Sequence, residues 1–174
     1  MITIAKLKDT EYEDIGHDHI RKVARGVVLN DKTEVALIKL HGQDIFGDRN
    51  YYETPGGGVK KYERIKKAVE REVEEELGLK CKVIKELGIV EDFYNLLKRK
   101  NINYYFLLKV YGKGSYHREP FEKKFFEKVV WSNIDQAISL MESNPNQKLG
   151  LLVKNRELPI LKIAKQIIEE ENTY

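Results

Sequence analysis

The chain has 174 residues, 34% of them charged, with a formal net charge of +3. That length favours one domain with a sizeable core, and the near balance of charge does not mark a nucleic-acid binder, so a small anionic partner would need a local basic pocket. The single cysteine, Cys81, excludes an internal disulfide, no apolar run approaches the ~18 residues of a membrane span, and Met1 to Lys6 does not lead into a signal-peptide core. The expectation is a cytoplasmic protein without a membrane partner, with a homodimer left open.

Residues 1–20 are polar, with Asp9, Glu11, Glu13, Asp14 and Asp18 among a few apolar positions, and read as an N-terminal extension carrying one strand at Ile2 to Leu7. His17 and His19 have no further ligands nearby in sequence and read as surface loop. Lys22 to Asn30 has the apolar, β-branched character of a strand, Asn30 to Lys32 is a turn, and Thr33 to Leu40 returns as the second arm of a hairpin. A polar loop with two glycines covers 41–50. Tyr51 to Thr54 is a short strand that feeds Pro55 and the glycines Gly56, Gly57 and Gly58, which brings Tyr51 towards the same end of any site. Residues without Cβ let the backbone approach a ligand or metal closely, and ahead of a helix their amides could face phosphate.

The helix that follows, from Glu63 to Leu77, carries the strongest signal. At about 100° per residue, Ile65, Val69, Val73 and Leu77 form its core-facing stripe. Glu72 and Glu76 fall inside that apolar sector and Glu75 at its margin, whereas Glu70 and Glu74 point away. Acids so placed cost free energy or take up a proton unless neutralised, and their i, i+3, i+4 spacing makes them repel one another. A divalent cation removes both penalties, and hard oxygen donors in a chain poor in histidine and cysteine favour Mg²⁺ or Mn²⁺ over zinc. Gly78 fits the position that ends a helix.

From Gly57 through Glu63 to Arg71-Glu72-Val73-Glu74-Glu75-Glu76-Leu77-Gly78-Leu79, the chain resembles the Nudix box, G-x5-E-x7-R-E-U-x-E-E-x-G-U with U apolar, at all nine fixed positions over 23 residues. The resemblance implies a hydrolase that splits a pyrophosphate linkage in a nucleoside diphosphate joined to another group, with Mg²⁺ or Mn²⁺ as cofactor. It makes Glu72, Glu76 and the carbonyl of Gly56 metal contacts, Glu75 a further ligand or a base, and Arg71 and Glu63 an ion pair that holds loop and helix together. Arg25, Tyr51, Gly57 and Gly58 are the expected substrate contacts. Tyr62, where many members carry glycine, and Lys60, often acidic, depart from the pattern and bear on loop shape and substrate.

Beyond the box, Cys81 to Phe93 alternates as a strand interrupted by Gly88, Lys98 to Asn101 reads as a basic turn, and Ile102 to Tyr111 is rich in aromatic and β-branched residues. Residues 112–128 mix Gly, Pro and charge ahead of Val129-Val130-Trp131. By resemblance a glutamate here can supply the base; Glu119, Glu122 and Glu127 compete, and Glu122 is preferred. Ser132 is the expected N-cap of a helix from Asn133 to Glu142, and Leu158 to Glu171 reads as a final helix with Pro159 in its first turn. These elements predict an α/β protein, a Nudix-type α/β/α sandwich with a mixed sheet, with residues 1–20 outside it and 21–174 forming the domain. The expected partner is a small nucleotide. A non-catalytic nucleotide sensor is the alternative from another class, and an RNA-end pyrophosphohydrolase ranks lower because the basic clusters are small.

Overall fold

The computed structural model describes residues 1–171. In chain order the strands are β1 (Thr3–Lys6), β2 (His19–Leu29), β3 (Val35–Leu40), β4 (Gln43–Asp44), β5 (Gly47–Asp48), β6 (Tyr51–Glu53) and β7 (Gly56–Gly58). Helix α1 (Ile65–Leu77) follows, then β8 (Leu79–Tyr94), a 3₁₀ turn at Asn95–Leu97, β9 (Arg99–Lys113), α2 (Pro120–Phe125), β10 (Phe126–Ser132), α3 (Ile134–Glu142) and α4 (Lys148–Glu171).

The main sheet runs β1-β8-β9-β2-β3-β10, mixed in direction, with β6 on β3 and β7 on β2; β4 and β5 form a separate two-stranded ribbon. Strands β2 and β3 pair only at Leu29 and Val35 and then separate. Below the split, β7 takes up the edge of β2 from Val23 to Arg25, and β6 takes up the edge of β3 from Ile38 to Leu40. The backbone groups released by the splay are thus satisfied again, and a cleft opens where the sheet divides.

Alternation along β2 sorts its residues between the two faces. Gly26 faces α1, where an added Cβ would run into Leu108 and approach Val69; its neighbour Arg25 faces the other way, towards Glu157 of α4. Helix α1 buries Ala68, Val69, Val73 and Leu77, and α3 and α4 pack against one another and the sheet. The result is the expected mixed sheet with flanking helices.

Several boundaries differ from the sequence reading. The segment expected to lie outside the fold supplies β1, which pairs in parallel with β8 at the sheet edge, and Asp9 accepts the backbone N–H of Asn95. The glycines form strand β7 rather than a loop, and α1 begins later, at Ile65. The basic turn is shorter than expected: Lys98 alone adopts a left-handed conformation, and Arg99 already opens β9. Asn133, not Ser132, caps α3; its side chain accepts from Gln136 N–H, and the Gln136 side chain accepts from Asn133 N–H. Helix α4 starts at Lys148 and runs through Pro159. Proline there removes one helical hydrogen bond, and burial of Leu149, Leu152, Val153, Ile160, Leu161 and Ala164 along the helix outweighs that loss.

Candidate active site

Helix α1 presents its acidic residues to the split in the sheet. Glu72 is 6% and Glu76 7% exposed, as their place in the apolar sector predicts. Strand β7 sets how close they come: a Cβ on Gly57 would collide with the Glu72 carboxylate, and one on Gly56, at φ +150°, with the carbonyl of Ala24. Gly56 N–H donates to Glu76 Oε2 at 2.7 Å. The glycines therefore admit the helix carboxylates, and the Gly56 amide is turned to Glu76 rather than to phosphate. Burial, reinforced by the Glu53 charge, raises the proton affinity of Glu76 well above the usual carboxylate range. Burial raises Glu72 as well, with Arg71 opposing it.

Arg71 ties the box together. Its guanidinium donates to both oxygens of Glu63 at 2.7 and 3.0 Å, to Glu72 Oε1 at 2.7 Å, to Glu75 Oε2 at 3.0 Å and to the Gly58 carbonyl at 3.1 Å. Glu63 in turn accepts the Lys60 N–H, so the turn before α1 is anchored to the helix it leads into. In that turn Tyr62 is 92% exposed and sits at φ +64°, a conformation that glycine adopts without strain.

A cleft of about 500 Å³ opens beside the box, and Gly56, Gly57, Glu76, Glu53 and Glu122 are among the residues that line it. Glu122 belongs to α2, where its side chain accepts the Glu119 N–H at 2.8 Å, and burial raises its proton affinity. Glu119 and Glu127 are exposed, and Glu127 lies 3.9 Å from Lys128. The strap before α2 docks on the C-terminal turn of α1: Gly114 N–H donates to the Gly78 carbonyl, His117 N–H to that of Glu75, and Arg118 to that of Glu76. Carbonyls that a helix end leaves open are satisfied in this way, and Glu122 is carried to the cleft.

Tyr51 and Arg25 also line the cleft, but each is held by protein partners. The Tyr51 hydroxyl accepts from Arg49. The Arg25 guanidinium donates to the Thr54 carbonyl and lies 3.5 Å from Glu157 and 3.7 Å from Glu53. Gly58 faces Arg21 and gives its carbonyl to Arg71. Glu75 turns to Arg71 and, at 3.9 Å, to Lys60.

Sequence reasoning missed the charged floor of this cleft. Glu157 and Arg156 are 0% and 1% exposed and paired at 2.8 Å. Glu157 also accepts the Thr54 N–H at 2.6 Å, and Arg156 donates to the Tyr94 hydroxyl at 2.7 Å. Glu53 was missed too, although period-2 alternation in β6 puts it on the same face as Tyr51. Burial, with Glu157 as a further repulsive charge, raises its proton affinity against the pull of Arg25.

Among the described residues, no three Asp, Glu, His or Cys side chains stand ready to hold a metal ion. The donor chemistry nevertheless fits a hard cation. Glu76 is buried and has an N–H group, not a cation, as its hydrogen-bond partner, while Glu72 accepts from the Arg71 guanidinium.

The split sheet, the glycine strand and the acid-bearing helix define a class, and the NUDIX domain model matches residues 19–151. The chain belongs to the NUDIX family. It is 41% identical over 66 residues to the 8-oxo-dGTP diphosphatase of Buchnera aphidicola subsp. Acyrthosiphon pisum (strain APS), a match that covers 38% of this chain and 51% of that protein; the chain thus spans about half the length of that relative. The fold is similar to that of a NUDIX hydrolase from Nitrosomonas europaea, with TM-score 0.62, 16% identity and coverage of 84% of this chain and 88% of the other. It is also similar to a UDP-X diphosphatase, with TM-score 0.56, 17% identity and coverage of 84% and 63%. No described helix is long and apolar enough to cross a membrane.

Proposed function

We propose that the protein hydrolyses a pyrophosphate bond in a nucleoside diphosphate linked to another moiety, with Mg²⁺ or Mn²⁺ as cofactor. The observation that carries this reading is the burial of Glu72 and Glu76 on the apolar face of α1, with Gly57 leaving no side chain against the Glu72 carboxylate and Glu76 lining the cleft. Glu72, Glu76 and the Gly56 carbonyl are the residues that would hold the cation. When bound, such a cation supplies charge neutralisation on the phosphate oxygens and the leaving group. Gly57 offers unobstructed backbone to the phosphate chain, and Arg71 keeps α1 and the preceding turn in register. Glu122, which lines the cleft and has a raised proton affinity, would take the proton of a water that forms the new O–P bond as the bridging P–O bond breaks. Glu75 is the second candidate for that role.

The relative named as an 8-oxo-dGTP diphosphatase makes nucleoside triphosphates, oxidised purines included, the first substrates to test. The experiment is a phosphate-release screen of nucleoside triphosphates, oxidised purine triphosphates, nucleotide sugars and dinucleoside polyphosphates, with Mg²⁺ and with Mn²⁺. Metal-dependent release from one class supports the reading; no release from any class with either metal contradicts it.

A further inference from the structure

Strands β2 and β9 run parallel, with Arg21 opposite Asn101 and His19 opposite Arg99. Alternation puts Arg21, Val23 and Arg25 of β2 and Arg99, Asn101 and Asn103 of β9 on one face, and all six line the cleft. Three of the polar members differ from the rest. Arg25 is engaged by Thr54, Glu53 and Glu157, and Asn103 donates to the Val90 carbonyl and to Asp92. Asn101 is 2% exposed, and neither its amide nitrogen nor its amide oxygen has a partner. Arg99 Nε is likewise buried and unpartnered, and Arg99 meets the Tyr94 ring rather than a carboxylate. Among the described residues neither Arg21 nor Arg99 forms an ion pair.

Native structures rarely leave a buried amide with both ends unmet, and such groups call for an occupant. Two guanidinium groups with no carboxylate in direct ion-pair contact, beside an amide that can donate and accept, match a tetrahedral oxyanion, because the arginine fork binds two phosphate oxygens at once. The Arg99 pKa agrees: burial, followed by the charge of Arg21, pulls it down to about 10. An anion placed between the two would offset the Arg21 repulsion and favour the charged form of Arg99.

We propose that Arg21, Arg99 and Asn101 form a phosphoryl-binding subsite on the β2–β9 wall, with Arg21 at its border with the glycine strand. It would receive a phosphate group that the reaction leaves intact, either the far end of a polyphosphate chain or a separate phosphomonoester on the substrate. The inference rests on the hydrolase reading only for where the cleaved diphosphate lies.

The test is calorimetric titration of the full chain in EDTA with inorganic tripolyphosphate and with a nucleoside 5′-monophosphate. In EDTA no divalent cation is free, so the carboxylates of α1 disfavour anions and the wall is read alone. Binding is expected for at least one ligand, weakened about tenfold or more by Arg21→Gln combined with Arg99→Gln and about threefold or more by Asn101→Leu. Exposed Lys123→Gln should change nothing. Tighter binding of tripolyphosphate assigns the subsite to a chain end, and tighter binding of the monophosphate assigns it to a phosphomonoester. If the double variant melts below the assay temperature, Arg99→Gln alone carries the expectation at about threefold. Absence of binding by the wild-type chain, or binding undiminished in the variants, overturns the proposal. Hydrolysis that proceeds with unchanged KM in the arginine variants removes the subsite and leaves the hydrolase reading standing. Phosphate binding that depends on the arginines, in a chain that hydrolyses nothing, does the reverse.

Discussion

At the scale of single residues, the site depends on which carboxylates are neutralised and by what. Glu63 is held below the usual carboxylate range by the Arg71 hydrogen bond. A carboxylate whose folded pKa is depressed stabilises the protein above its unfolded value, here 4.5, and that contribution is lost as pH falls through the lower folded value. Arg71→Ala should therefore lower Tm at pH 7 by several degrees, at roughly 2–4 °C per kcal/mol for a chain of this size, with the deficit shrinking towards pH 3. Thermal melts of wild type and variant across that range check this. Activity should fall with stability; an activity collapse with unchanged melting and unchanged metal affinity would instead place Arg71 against the substrate. The base is tested by a kinetic series at saturating Mg²⁺. Glu122→Gln should lower kcat by on the order of 10² with little change in KM, while Glu119→Gln and Glu127→Gln, whose side chains are exposed, stay near wild type. A large loss at either of the latter would move the role along the same segment, and no loss at any of the three would return it to Glu75.

At the scale of elements, ends and edges are where local signals and packing part ways. Ser132 and Asn133 are both good capping residues, and sequence preference alone does not choose between them. Strand β10 does: Ser132 stays paired with Val35 of β3, which leaves Asn133 as the first residue free to turn its side chain onto the helix. Asn133→Ala should cost about 1 kcal/mol of stability, and Ser132→Ala less, as measured by urea unfolding; equal costs would contradict the assignment. Pro159 shows the converse, because a residue that locally favours a helix start is overridden by an apolar face continuing on both sides of it. The strap from Gly114 to Arg118 is an irregular segment held by the open carbonyls of α1, and no periodicity in its own sequence announces that contact.

At the scale of the whole molecule, what was legible in the sequence is what repeats locally. The period of α1, the turn joining β2 to β3 and the aromatic strand β9 each follow from residues within one stretch, and the misplacement of Glu72 and Glu76 on an apolar stripe marks the candidate site; the ladder expected between β2 and β3 was not legible, because they pair only at Leu29 and Val35 and take other partners beyond. The charged floor was not legible, because its partners meet only in three dimensions: Thr54 and Glu157 are 103 positions apart, and Tyr94 and Arg156 are 62 apart. Glu53 lay between, since strand alternation from Tyr51 could have found it. Contacts of the same long-range kind, the pairing of β1 with β8 and the bond of Asp9 to Asn95 86 positions away, tie residues 1–20 to the sheet although they look like an extension.

We propose that hydrolysis depends on a cation held by the buried carboxylates of α1. The most direct test is the rate of phosphate release by wild type and by Glu76→Gln over a Mg²⁺ titration at saturating substrate. Glutamine keeps the volume and can still accept the Gly56 N–H, and removing a buried charge should leave metal-free stability level or higher, so a melt separates misfolding from lost function. The wild type should show a saturable Mg²⁺ dependence and the folded variant a kcat lower by on the order of 10² or more at every concentration. A variant that retains most of the wild-type kcat at saturating Mg²⁺ would contradict the proposal.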